Sequence, residues 1–298
     1  MNEYEKPSES RGRLIPRGPE DVLKVIRTGH RKARLGDLYI RLLSISWKLL
    51  FVLIAAIYVD INVIFSLAYL ASDGIEHARP GSFADAFFFS VETLSTIGYG
   101  QFYPAGLAAN FLVTLEAFTG FVFFAGVTGL LFSKFSRPTA RVLFSNVAVI
   151  DTYDGVPHLM FRLANERNNR IVDANLHVAL LRKENTSEGH QMRRFHDLTL
   201  VRSRIPLLQL TWTVMHRIDE TSPLYKANPQ HLREVDAEII VSLTGLDETI
   251  SQLIHARHSF VAEEIICNAS FVDILKRGEG RQIEVDYSLF HNVKKSDA

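Results

Sequence analysis

Two long apolar segments, residues 49–71 and 107–135, constrain the fold of this chain more than any other feature. Each exceeds the length of helix, about 20 residues, that crosses the hydrocarbon core of a bilayer. Inside a bilayer the backbone must satisfy its own hydrogen bonds, so only helices and closed barrels span it. Segments of this length and composition therefore predict two membrane helices.

A shorter aromatic stretch, residues 83–94, lies between them and is long enough for about three helical turns. It is followed by Thr96, Ile97, Gly98, Tyr99 and Gly100. Irregular backbone at membrane depth is tolerated only where protein buries it or water lines it. Glycines allow alternating backbone conformations that turn successive carbonyl oxygens towards one axis, where they replace the water shell of a cation. A glycine turn in an external loop is the alternative.

These five residues match the filter signature of potassium channels, and the chain resembles a bacterial inward-rectifier (KirBac, Kir-type) potassium channel over about residues 35–292. The downstream stretches that carry the likeness are Ser222-Pro-Leu-Tyr225, Ala256-Arg-His-Ser259 and Val285-Asp-Tyr-Ser-Leu-Phe290. The filter residues would bind potassium as the permeant ion, at Thr96, Ile97, Gly98 and Tyr99. Since one strand covers one side of an ion, a homotetramer is expected.

The charge distribution predicts the topology. Residues 1–48 contain eleven Lys or Arg against six acids, whereas Arg79 is the single basic residue in 72–106. By the positive-inside rule both termini are cytoplasmic. The single cysteine, Cys267, fits a reducing compartment, and the cysteine pair of animal relatives is missing, which favours a multi-pass protein of the bacterial inner membrane. The first fifteen residues are polar, so no cleavable signal peptide is expected.

Glu92 lies near the end of the aromatic stretch, and we expect it behind the filter as a supporting group; direct ion binding is the alternative. The resemblance implies a hinge at Gly120, and Gly126 is a second bending point. Asp60 and Glu116 interrupt the apolar segments, and the sequence names no partner for either.

Phe124, Thr128 and Phe132 lie four residues apart and share one helix face. Such a stripe is typical of helix packing. The resemblance implies instead that this face lines the pore, with Phe132 at a cytoplasmic constriction where four rings exclude water and ions.

Residues 35–47 have helical apolar spacing and end at Trp47, which predicts an interfacial slide helix; a cytosolic helix is the alternative. Lys48, Lys134 and Arg137 are expected at the inner headgroups. Positive-inside topology explains them, and the resemblance adds a regulatory site for anionic phospholipid.

From about residue 142 the pattern changes to short β-rich runs, at 147–150, 158–163, 176–182, 207–215, 238–243 and 283–287. The fold class is therefore a membrane α-helical pore, with two transmembrane helices and a pore helix, followed by an all-β immunoglobulin-like cytoplasmic domain. The expected divisions are a flexible tail (1–34), the slide helix (35–47), the pore domain (48–137) and the β-sandwich (138–298).

Rectification in the resembled family arises when internal magnesium or polyamine is held by acidic rings. Phe124 in the cavity and His190 in the cytoplasmic vestibule stand where strong rectifiers carry acids. The vestibule loop with Asp247 and Glu248 keeps its charge. A single exposed ring is screened by salt within about 10 Å, so weak rectification is expected.

The pair His255-x-x-His258 has no second pair at zinc-finger spacing. No phosphate loop or catalytic motif is present, so neither an enzyme nor a cofactor is expected, and the formal net charge of zero gives no reason to expect a nucleic-acid partner. Two rival functions remain: a non-conducting membrane-anchored β-sandwich interaction module, and a weakly selective cation channel, against which Tyr99 argues.

Overall fold

The computed structural model describes residues 13–15, 38–72, 74–277 and 283–296. The chain divides into two compact units, residues 28–137 and residues 1–27 with 138–298. Most of the predicted tail, 1–34, and the start of the predicted slide helix, 35–37, lie outside the described residues. In the N-terminal piece that is described, Arg13 donates to the Ser259 carbonyl and to the Glu264 carboxylate.

The described part of the first unit is helical. Its elements are α1 (Leu38–Ser44), α2 (Trp47–Ser72), α3 (Phe83–Leu94) and α4 (Gly106–Phe135), with the short antiparallel strands β1 (Ile75–Glu76) and β2 (Tyr103–Pro104) joining the loops on either side of α3. Helices α2 and α4 are long and apolar enough to cross a membrane. The prediction of two membrane helices and a pore helix is confirmed.

Helix α1 is shorter than predicted. It ends at Ser44, and Trp47 begins α2, so Trp47 is not the last residue of an interfacial helix. The break has a local cause, because the Ser46 hydroxyl accepts from the Leu49 amide at 3.3 Å and the Ser46 carbonyl accepts from the Leu50 amide at 3.0 Å. A serine in this position caps the start of a new helix.

Two five-stranded sheets make up most of the second unit. One has the order β11-β10-β6-β7 with β8 also paired to β6, and the other has the order β12-β4-β5-β3 with β9 also paired to β5. The elements in chain order are β3 (Val142–Phe144), β4 (Ala148–Tyr153), β5 (Val156–Asn165), β6 (Ile171–Asn185), β7 (Gln191–Asp197), β8 (Arg204–Leu208), β9 (Thr211–Arg217), α5 (Pro229–Glu234), β10 (Glu238–Asp247), β11 (Gln252–Val261), β12 (Ile265–Cys267), β13 (Ala269–Phe271), β14 (Leu275–Arg277), β15 (Ile283–Val285) and β16 (Val293–Lys295).

The two sheets pack face to face around one apolar core. In β10 every second side chain, Ile239, Val241 and Leu243, is fully buried, as a strand with one face on a core requires. Phe161 of β5 and Phe260 of β11 contact each other across the two sheets, with ring centroids 5.3 Å apart. The prediction of a β-sandwich is confirmed.

One predicted strand, 207–215, is wrong as a single element. The structure has β8 and β9 there, separated at Gln209 and Leu210. Neither residue is typical of a turn, so the sequence gives no sign of the break.

Candidate functional site

Helix α3 is held at its N-terminus by a serine cap and by an ion pair. The Ser82 hydroxyl accepts from the Asp85 amide at 3.3 Å and caps the helix. Arg79 donates to the Asp85 carboxylate from Nη2 at 2.8 Å, from Nε at 3.0 Å and from its backbone amide at 2.9 Å. These bonds hold the pKa of Asp85 well below its usual range, the guanidinium contributing most. A carboxylate in the first turn also suits the positive end of the helix dipole.

The predicted filter strand, residues 96–100, starts from the last turn of α3. The Ile97 amide donates to the Glu92 carbonyl at 2.8 Å, which turns the chain sharply away from the helix axis. The φ angle is positive at alternate residues, 56° at Thr96, 60° at Gly98 and 80° at Gly100. Glycine adopts this region without a Cβ penalty, and the threonine adopts it against its preference. Positive φ at every second residue is the alternation of backbone conformation that turns successive carbonyl oxygens towards one axis.

The C-terminal end of this strand contacts the loop that precedes α3. The His77 ring nitrogen Nδ1 lies 3.2 Å from the Gln101 carbonyl oxygen. The same ring packs edge-on against Tyr103, with centroids 5.2 Å apart. The loops that bracket α3 are therefore held together immediately beyond Gly100.

The base of the strand is supported from behind by both membrane helices. The hydroxyls of Tyr58 on α2 and Ser95 lie 2.7 Å apart. On α4, a Cβ added at Gly120 would lie 2.6 Å from the Leu94 carbonyl oxygen, so α4 approaches α3 as closely as only glycine allows. Close packing thus accounts for this glycine, and its role as a hinge stays a prediction.

Glu92 is half-buried in the last turn of α3. Its carbonyl accepts from Ile97, and among the described residues no hydrogen bond to its carboxylate is seen. Its support of the filter stays a prediction, as does the alternative of ion binding. Asp60 is exposed on α2.

The stripe on α4 is not used for packing within the chain. Phe124 is 43% exposed, Phe132 is 72% exposed, and Thr128 between them is exposed. Phe124 contacts the neighbouring ring of Phe123, with centroids 5.5 Å apart, and exposed side chains on a spanning helix are covered by lipid or by another subunit. The pore-lining role stays a prediction.

The basic residues near the start of α2 and the end of α4 differ in their surroundings. The Lys134 ammonium donates to the carbonyls of Leu43 at 3.0 Å and Ile45 at 2.6 Å, and lies 5.3 Å from the centroid of the Trp47 ring. It therefore fastens the end of α1 to the end of α4, a role that the sequence did not indicate. Lys48 and Arg137 are exposed. Lipid binding by all three stays a prediction.

The predicted vestibule residues lie in the β-sandwich unit. His190 is exposed in the turn between β6 and β7. Glu248 is about half exposed, with Arg170 3.9 Å away. Its neighbour Asp247 is only 2% exposed, and it accepts from Asn169 at 2.8 Å and pairs with Arg167 at 3.5 Å. The loop therefore offers one solvent-exposed acid rather than two.

The histidine pair of β11 does not form a site. His255 is exposed, whereas the His258 ring stacks on Phe144 with centroids 4.8 Å apart. Residues three apart in a strand point to opposite faces. Among the described residues no group of three or more His, Cys, Asp or Glu is placed to hold a metal ion.

Comparison with known proteins covers both units. The family model "Inward rectifier potassium channel C-terminal domain" matches residues 142–298, and the model "Ion channel" matches residues 47–137. The inward rectifier potassium channel Kirbac3.1 of Paramagnetospirillum magnetotacticum is 44% identical over 290 residues, which cover 97% of this chain and 98% of the relative. The ATP-sensitive inward rectifier potassium channel 14 of Homo sapiens is 30% identical over 309 residues, covering 95% of this chain and 70% of the relative.

The match extends over nearly the whole length of both chains in the bacterial case, and it includes the helical unit and the β-sandwich together. With two helices able to cross a bilayer, the protein is a membrane protein. The chain belongs to the inward-rectifier potassium channel family.

Proposed function

We propose that four copies of this chain form a potassium-selective channel whose filter is the strand of residues 96–100. The observation that carries the proposal is the alternation of positive φ at Thr96, Gly98 and Gly100, directly after a helix that ends between two membrane helices. Four such strands around an axis present stacked rings of carbonyl oxygens, which replace the hydration shell of potassium. The Thr96 hydroxyl adds a lower ring, and the partial negative charge at the C-terminal end of α3 favours a cation below it.

The gate in this proposal is the ring of Phe132 side chains at the cytoplasmic end of α4. Four phenyl rings on one axis leave a neck too narrow and apolar to stay wet, and ions do not cross a dry neck. Phe124 and Thr128 line the cavity above it. Anionic phospholipid modulates the gate through Lys48 and Arg137, which are exposed, and through Lys134, whose ammonium is already engaged by α1.

The channel lies in a bacterial inner membrane with both termini in the cytoplasm. Internal magnesium and polyamines block it weakly, because the burial of Asp247 leaves Glu248 as the acid of its loop that faces solvent. It has no catalytic role and needs no cofactor beyond the permeant ion.

Flux measurements on purified protein in liposomes test this function. The protein is reconstituted with anionic phospholipid, and uptake of potassium is compared with uptake of sodium under the same gradient. The Phe132→Ala variant is measured in parallel, so that a closed gate is not mistaken for the absence of a pore. Potassium uptake well above sodium uptake supports the proposal. Equal uptake of both ions would favour a weakly selective channel, and no uptake by either protein would favour a non-conducting interaction module.

A further inference from the structure

Glu116 is a fully buried acid in the middle of α4, and the structure supplies the partners that the sequence left open. The Tyr69 hydroxyl of α2 donates to its Oε2 at 2.6 Å, and the Ser90 hydroxyl of α3 donates to its Oε1. The Asn62 side-chain oxygen lies 3.1 Å from the same Ser90 hydroxyl. One carboxyl group thus joins α4 to both α2 and α3.

This contact is part of a longer line of contact between α4 and the last turns of α3. Glu116 meets Ser90, and four residues further on Gly120 meets the carbonyl of Leu94, which is also four residues beyond Ser90. Residues four apart lie on one face of a helix, so the two helices touch along a continuous line. A buried polar group without hydrogen-bond partners costs free energy. These hydrogen bonds therefore fix the axial position of α4 relative to α3.

The filter strand begins where this line ends. The Ile97 amide is bonded to the Glu92 carbonyl within the last turn of α3. A shift of that turn therefore moves the first carbonyls of the strand. Filters distinguish ions by the spacing and field of their oxygen rings, so small movements change selectivity.

We propose that Glu116 is a positioning residue for ion selectivity: its hydrogen bonds to Tyr69 and Ser90 hold the end of α3, and thereby the oxygen rings of the filter, at the spacing that favours potassium over sodium. The inference rests on the proposed filter role of residues 96–100. The carboxyl group does not itself contact the ion.

The test compares two replacements of the same residue. An amide at position 116 offers an acceptor to Tyr69 and a donor to Ser90, so Glu116→Gln keeps the network. Glu116→Leu fills similar volume but offers no acceptor to Tyr69 or Ser90. The Ser90 hydroxyl then keeps only the Asn62 side-chain oxygen of α2, so its hydrogen bond to α4 is lost. We expect Glu116→Gln to keep the potassium-to-sodium flux ratio of the parent and Glu116→Leu to lower it about tenfold, as the loss of more than one buried hydrogen bond implies.

Ser66→Ala is the matched control. Ser66 is equally buried, but its hydroxyl donates to the Asn62 carbonyl within its own helix, so its loss affects packing without releasing α3. Tetramer formation and thermal unfolding are measured for every variant by size-exclusion chromatography and calorimetry. We expect Ser66→Ala to keep the flux ratio whatever its effect on stability.

Tyr69→Phe covers the case in which Glu116→Leu does not assemble. It removes one donor and keeps the edge-on ring contact with Phe89, whose centroid is 4.9 Å away. A flux ratio lowered roughly threefold to tenfold supports the proposal. An unchanged ratio in assembled Glu116→Leu or Tyr69→Phe channels overturns it, and so does an equal loss in Ser66→Ala. A parent channel that does not prefer potassium overturns the filter assignment itself, which the parent measurement reveals before any variant is compared.

Discussion

Gly98→Ala is the most direct perturbation of the proposed filter. Gly98 has a φ of +60°, and a Cβ built on it has no atom within 4 Å in the chain. The substitution therefore adds no clash within one subunit. What it adds is the backbone penalty of an L-residue in the left-handed region.

That penalty is about 1–2 kcal/mol per residue, or about 4–8 kcal/mol if four subunits hold the same conformation. A factor of ten in population corresponds to about 1.4 kcal/mol, so the conducting filter should lose on the order of 10³- to 10⁶-fold in population. Alanine also restricts the unfolded chain, which affects folding. This effect on the unfolded chain does not change the ratio of conducting to non-conducting filters, because both are conformations of the folded protein.

The assay is potassium and sodium flux into liposomes, normalised to assembled tetramer. Gly155→Ala is the matched control, since Gly155 has a φ of +76° in the turn between β4 and β5 and a Cβ there also has no atom within 4 Å. We expect Gly98→Ala to abolish selective potassium flux and Gly155→Ala to keep it. Parent-like flux and selectivity in assembled Gly98→Ala channels would refute the reasoning.

Three further predictions concern the gate, the cavity and the β-sandwich. Phe132→Ala should raise potassium flux severalfold at an unchanged potassium-to-sodium ratio; flux at or below that of the parent contradicts the gate. Phe124→Asp adds a ring of acids to the low-dielectric cavity and should convert weak spermine block into steep, voltage-dependent block in bilayer recordings; a conducting variant without added block contradicts the assignment. Burial lowers the pKa of His216, whose ring nitrogens lie 2.7 Å from the Thr199 carbonyl and 2.7 Å from the Ser222 hydroxyl. The unfolded chain then binds more protons below about pH 6.5, so thermal stability should fall as the pH drops from 7 to 5, and less so in His216→Gln; equal losses in both proteins would contradict this.

The helical unit could be predicted closely from the sequence because its signals are local. The aromatic stretch 83–94 coincides with α3, and the two apolar segments fall within two residues of the ends of α2 and α4. Length and apolar content are sufficient for a spanning helix, since the bilayer sets both.

The strands are a harder case. Strand β7, Gln191–Asp197, was not predicted, because six of its seven side chains are exposed and its two apolar residues, Met192 and Phe195, are three apart, so it lacks the alternation that marks a strand. It is held by pairing with β6 from Ala179 to Asn185, a long-range effect that a local pattern does not contain. Strand β11 was missed for a similar reason, since its outward positions carry His255 and Arg257.

In the candidate site too, local features could be predicted from the sequence and long-range contacts could not. The filter stretch is contiguous, so its glycines could be recognised directly. The hydrogen bonds that support this stretch join residues far apart in the sequence: Tyr58 and Ser95 are 37 residues apart, and Tyr69 and Glu116 are 47 residues apart. A single sequence shows that an acid is present in a membrane helix, but the partner is chosen by the packing of three helices.

The contacts of α4 also indicate where this helix can bend. Bending at Gly120 would separate it from the Leu94 carbonyl and break the line of contact that holds the base of the filter. Gly126 lies about 1.7 turns further along α4, and a Cβ there has no atom within 4 Å. Movement of Phe132 with an undisturbed filter is therefore easier if the bend lies at Gly126. Alanine favours helix over glycine by about 1 kcal/mol, so Gly126→Ala should lower flux severalfold without changing the potassium-to-sodium ratio. Gly120→Ala should lower the ratio instead, because its Cβ would press on Leu94. If Gly126→Ala conducts like the parent while Gly120→Ala loses flux at an unchanged ratio, the bend is at Gly120, as the family resemblance implies.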